Sequence, residues 1–148
     1  MNKGIKYVLT YGIWVADLVL ALWFIYLCRT SLLGTFALFY DNVNVAYANA
    51  VNFIDKAFTI LLGIGWLIFM ILAEHYFRNG IEKDGQIRRL SIVTGWLFLC
   101  VFIVDLILAW IQGIGVGNWL RWLMLVLELG VGMVLLVQAK PNIKSKSN

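Results

Sequence analysis

Four apolar runs, residues 7–28, 57–77, 90–111 and 119–138, leave this chain few folds to choose from. Each is about twenty residues long, and a helix of that length rises about 30 Å, the thickness of a bilayer's hydrocarbon core. Backbone in lipid must satisfy its own hydrogen bonds, which restricts a spanning segment to a helix or a closed barrel. Runs this long and continuous are helical, so the expected fold is an all-α membrane protein, a four-transmembrane-helix bundle. Composition agrees: of 148 residues, 62% are hydrophobic and only 14% charged, against about 25% charged in a soluble domain. The net charge of +4 is not a nucleic-acid signal, because the Lys and Arg residues flank the apolar runs.

Residues 1–138 read as one integral-membrane helical domain, followed by a flexible cytoplasmic basic tail over 139–148. The first run starts after Lys3 and Lys6 but is too long for a signal peptide, contains Asp17 and lacks a small-residue cleavage site. Between the first two runs, Tyr47, Val51, Ile54 and Phe58 fall on one helical face, and Asn49, Asn52 and Lys56 on another. That spacing predicts an amphipathic interfacial helix feeding the second span, with Asn42 and Asn44 as candidate caps. Residues 32–40 are expected to form a further interfacial or short re-entrant piece. Asn79-Gly80 offers the left-handed residue that ends a helix, and Asp84 a cap for the next. Residues 112–118, with Gly113, Gly115 and Gly117, form a tight turn.

The charged stretch 74–91 pins the second and third spans. With the amino terminus inside, Lys3, Lys6, Arg78, Lys83, Arg88, Arg89, Lys140, Lys144 and Lys146 fall on the inner side, against Arg29, Lys56 and Arg121 outside. The excess predicts both termini in the cytoplasm and a plasma (inner) membrane location. Glu74–Arg78 and Asp84–Arg88 have helical ion-pair spacing. Arg78, Lys83, Arg88 and Arg89 are the expected contacts for a partner or for anionic lipid head groups.

Chemistry is concentrated in the charges inside the spans. Counted from the inner helix ends, Asp17 and Glu128 each lie roughly 15 Å deep and Asp105 roughly 22 Å. Arg121 is about one turn above Asp105 and is its expected ion-pair partner. Asp17 and Glu128, at equal expected depth, are candidates for one shared proton. These four residues form a predicted polar seam, with Thr10, Thr94 and Gln112 as hydrogen-bonding neighbours. Charge at the bilayer centre costs several kcal/mol, so such acids face inward, take up protons or pair. A partial internal repeat relates Asp17-Leu18-Val19-Leu20-Ala21 to Asp105-Leu106-Ile107-Leu108-Ala109.

No catalytic motif is present: there is no G-x-S-x-G, no H-E-x-x-H and no phosphate-binding loop. No enzyme activity, cofactor or metal is expected. His75 is the only histidine and reads as an interfacial residue. Cys28 and Cys100, expected about 15 Å apart in depth, read as packed thiols. Gly12, Gly63, Gly95 and Gly132 are candidates for close helix approach. The expected function is that of a small structural, accessory or interaction subunit. It would contact the lipid bilayer and either a membrane-protein partner or further copies of itself. The alternative is a proton- or cation-coupled transport or channel unit built on Asp17, Asp105 and Glu128.

Overall fold

The structure, a computed structural model, describes residues 3–38, 45–82, 86–113 and 118–139. Four helices follow in order: α1 (Lys3–Leu38), α2 (Val45–Glu82), α3 (Gln86–Ile111) and α4 (Trp119–Gln138). All four are long and apolar enough to cross a membrane. The chain is an all-α four-helix bundle and an integral membrane protein.

The helices are unequal. α4 has 20 residues and α3 has 26, about 30 and 39 Å of rise, whereas α1 has 36 and α2 has 38, about 54 and 57 Å. The fourth span matches its expected limits. The first does not end at Cys28 but continues for ten residues to Leu38, so residues 32–38 are neither re-entrant nor a separate interfacial piece. The helix expected after Asn44 exists, and it runs without a break into the second span. Two hydroxyls in the extension return to their own helix, Thr30 Oγ1 donating to Tyr26 O at 2.9 Å and Thr35 Oγ1 to Ser31 O at 2.8 Å, while Ser31 Oγ is buried without a hydrogen-bond partner. α2 also continues past Gly80 to Glu82. The left-handed glycine is instead Gly113, with φ of 60°, whose N–H donates to Trp110 O at 3.1 Å just beyond α3. The expected caps Asn42, Asn44 and Asp84, the turn glycines Gly115 and Gly117, Lys83 and residues 140–148 lie outside the described residues.

α3 is the hub. It packs on each of the other helices, α1 also packs on α2, and among the described residues α4 packs on α3 alone. Leu27, Val101 and Leu108 form one buried cluster, with Leu20, Phe24 and Val104 against it. Ala73, Phe77 and Leu90 form a second one nearer the termini, backed by Ile13, Trp14, Phe69 and Val93. α1 and α2 are antiparallel, tied by Trp66 Nε1 donating to Leu18 O at 3.4 Å and Tyr47 Oη donating to Phe36 O at 3.2 Å. The α3–α4 contact is close at two glycines: a Cβ at Gly95 would stand 3.2 Å from Gly132 O, and one at Gly132 would stand 3.3 Å from Gly95 O. Gly12 and Gly63, by contrast, have open space beside them and bring no helix close.

α1 and α3 run parallel in one register. The offset of 77 residues that joins Asp17 to Thr94 also joins Gly34 to Ile111. Asp105 is therefore level with Cys28, not with Asp17. The two acids of the apparent repeat stand about 16 Å apart in height. Cys28 and Cys100, both free thiols, differ in height by about 7 Å in this register rather than 15 Å.

Candidate functional site

The polar residues of the spans separate into three places. Asp17 is 1% exposed and sits between α1 and α3, where Thr94 Oγ1 donates to its Oδ2 at 3.2 Å. Thr10, a further two turns toward the amino terminus, donates instead to Lys6 O at 2.9 Å. On α3, Asp105 accepts a hydrogen bond from Arg121 Nη2 of α4. Glu128 lies on α4, on the side that faces α1 across a gap.

Glu128 is not level with Asp17. The α4 residues opposite Gly95, which neighbours Thr94, are Gly132 and Leu136. Glu128 therefore stands about one and a half to two and a half turns, about 8–13 Å, farther from the termini than Asp17. With α4 packing on α3 alone, the structure does not bring these two acids together, and the shared proton expected from equal depth has no geometric basis. Counting from helix ends misplaced them because α1 begins well below the level at which α4 ends.

The same register reveals a pairing that the sequence analysis missed. Arg29 forms a two-pronged contact with Asp55, Nε to Oδ1 at 2.8 Å and Nη2 to Oδ2 at 2.9 Å. Arg29 is one residue from the level of Asp105, so the pairs Arg29–Asp55 and Arg121–Asp105 lie in one layer, linking α1 to α2 and α3 to α4. Arg29 and Asp55 are 26 residues apart. No local spacing marks them as partners until the α1–α2 hairpin is set.

Between α1 and α4, over the surface of α3, lies a cleft of about 530 Å³. Thr30, Asp105, Gln112, Arg121 and Glu128 are in its polar lining, while Trp23, Phe98, Met124, Leu127 and Val131 are among its apolar walls. Trp23 and Tyr26 stack on its α1 edge, with ring centroids 5.4 Å apart. Two atoms in it are buried without a hydrogen-bond partner, Arg121 Nε and Glu128 Oε2. A buried polar atom in that state is costly. The cleft therefore combines an ion pair with a spare donor and a spare carboxyl oxygen, inside an apolar wall.

At the end that carries the termini, two of the expected docking residues, Arg88 and Arg89, are engaged with backbone carbonyls of this chain. Arg88 Nε donates to Ala139 O at 3.0 Å, capping the last carbonyls of α4. Arg89 Nη1 donates to Tyr76 O at 3.0 Å, and its guanidinium lies 4.8 Å from the centroid of the Tyr76 ring, a cation–π arrangement. Arg78 is exposed. Glu74 and Arg78 do not form the ion pair their spacing suggests; the next residue along, His75, receives at Nε2 the Asn79 side-chain amide at 3.0 Å. Among the described residues no His, Cys, Asp and Glu cluster is arranged to hold a metal ion.

The site belongs to a four-span integral membrane protein with a polar cleft between its first and fourth helices. In comparisons with known proteins, no family model, no curated protein and no solved structure matches the chain.

Proposed function

We propose that the protein is an interaction subunit of a membrane assembly, receiving a transmembrane segment of a partner in the α1–α4 cleft. One observation carries this reading: Glu128, a half-buried carboxyl with no ion-pair partner among the described residues, lines a cleft that α1 and α4 flank without meeting. In lipid, where water is scarce, groups in that state call for a polar partner from another segment. The other intramembrane acids are already engaged, Asp17 with Thr94 and Asp105 with Arg121, which supports a structural role for them. That engagement also weakens the alternative of proton or cation transport along the three acids. The Lys and Arg excess at the end carrying the termini supports a cytoplasmic placement of both termini in the plasma (inner) membrane. Exposed Arg78 is the residue of the basic turn best placed to meet anionic head groups.

Extraction in mild detergent followed by mass determination tests the reading. A stoichiometric assembly larger than one chain is expected. A stable lone monomer, recovered quantitatively from native membranes, contradicts it.

A further inference from the structure

Resting on the interaction-subunit reading, we infer that the helix entering the α1–α4 cleft carries a lysine or arginine that pairs with Glu128. The charges lining the cleft do not balance. Among the described residues, Arg121 is its single cation and is joined to Asp105. Glu128 is the carboxyl left over: it lines the cleft half-buried and has no ion-pair partner among the described residues. A basic side chain supplies the missing charge and donors, and the stacked rings of Trp23 and Tyr26 present π faces at the entrance.

Depth favours a spanning helix over a lipid head group. Arg121 is in the first turn of α4, whereas Glu128 lies seven residues on, about 10 Å further into the span. A head group at the helix end reaches the level of Arg121; a transmembrane helix places a side chain at Glu128 without leaving the bilayer core. The α4 wall from Arg121 to Val131 offers about 15 Å of groove, close to three helical turns. Its apolar residues, Met124, Leu127 and Val131, receive the flanking side chains.

The test uses the full chain in phosphatidylcholine vesicles. Its probe is a leucine-alanine transmembrane peptide with one lysine at the depth of Glu128, compared with peptides carrying leucine or glutamate there. Energy transfer between dyes on peptide and protein reads association. The lysine peptide is expected to associate about tenfold more tightly than the leucine peptide, and the glutamate peptide no better than leucine. Glu128→Gln removes the lysine preference and Glu74→Gln leaves it intact. Met124→Trp, which fills the cleft but keeps the carboxyl, also removes it, so the result does not hang on the folding of one variant. Equal association of the lysine and leucine peptides, or a preference that survives Glu128→Gln, overturns the inference. Saturable, Glu128-dependent binding of dodecylammonium without any lysine-peptide preference also overturns it, assigning the site to an amine-bearing lipid. If native membranes yield an assembly but the lysine preference is absent, this inference falls and the interaction-subunit reading stands.

Discussion

Gly95 of α3 and Gly132 of α4 face each other so closely that neither accepts a Cβ without displacing its neighbour. At Gly95 the added atom would meet Leu136 Cγ at 2.9 Å and the Gly132 carbonyl oxygen at 3.2 Å. Leu136 presents a side chain, but the carbonyl belongs to the helix backbone and moves only if the helices part. Gly95→Ala and Gly132→Ala are therefore expected to lower stability by about 1–3 kcal/mol, as overpacking does. Gly130, two residues away on α4, has nothing within 4 Å. Gly130→Ala is expected to be neutral or to gain up to about 1 kcal/mol from reduced backbone freedom. Unfolding titrations in detergent should show the two signs; a loss at Gly130 equal to that at Gly132 would refute the assigned contact.

The Arg121–Asp105 pair should behave as a buried one, since their side chains are 24% and 8% exposed. Removing one partner leaves the other charge without compensation, at about 3–5 kcal/mol. Arg121→Met and Asp105→Leu are each expected to be strongly destabilising, while the double substitution costs less than either alone. A double-mutant cycle in the same unfolding assay checks this, and additive losses would remove the pair.

Thr94 is expected to matter through Asp17. Thr94→Val keeps the shape but withdraws the one hydroxyl that donates to a carboxyl oxygen at 1% exposure, costing about 1–2 kcal/mol. Thr94→Ser retains the donor and should recover most of the loss. If valine and serine behave alike, packing rather than the hydrogen bond decides the site.

Arg29–Asp55 lies in the same layer yet should respond differently. The Arg29 side chain is 50% exposed on the surface of the helices, and in the detergent-extracted protein an exposed pair is screened by salt. Asp55→Asn is expected to shift the unfolding midpoint only at low ionic strength, with the shift vanishing at high salt, whereas Asp105→Asn should stay salt-insensitive. Thermal melts across a salt series distinguish the two.

Hydropathy made the spans legible because lipid imposes a length and an apolar content on each helix. The limits of α4, between Asn118 and Ala139, could be read almost to the residue. The long reach of α1 and α2 could not. Arg29, Thr30 and Ser31 look like the end of a span, but the hydroxyl of Thr30 returns to its own helix and Arg29 finds Asp55 across a hairpin. Such pairing depends on a register that no single-helix pattern contains. The same applies to the site. Residue types picked out Asp17, Asp105, Arg121 and Glu128, and the neighbourhood of Arg121 and Asp105 followed from both lying near the α3–α4 turn. The relative heights of Asp17 and Glu128 depended on how far α1 slides along α3, which is fixed by contacts such as Gly34 with Ile111. Arg88 and Arg89 looked like docking charges because the carbonyls they reach, Ala139 O and Tyr76 O, are distant in sequence.

The open side of the bundle is most directly tested by placing a photo-crosslinking amino acid in the intact membrane of expressing cells. Leu127 and Val131 line the α1–α4 cleft, while Leu61 and Ile103 are exposed positions that line neither this cleft nor the α3–α4 contact. A discrete protein adduct of fixed mass is expected from Leu127 and Val131, lost in Glu128→Gln, with only lipid adducts from Leu61 and Ile103. Lipid adducts alone from all of these positions would contradict it.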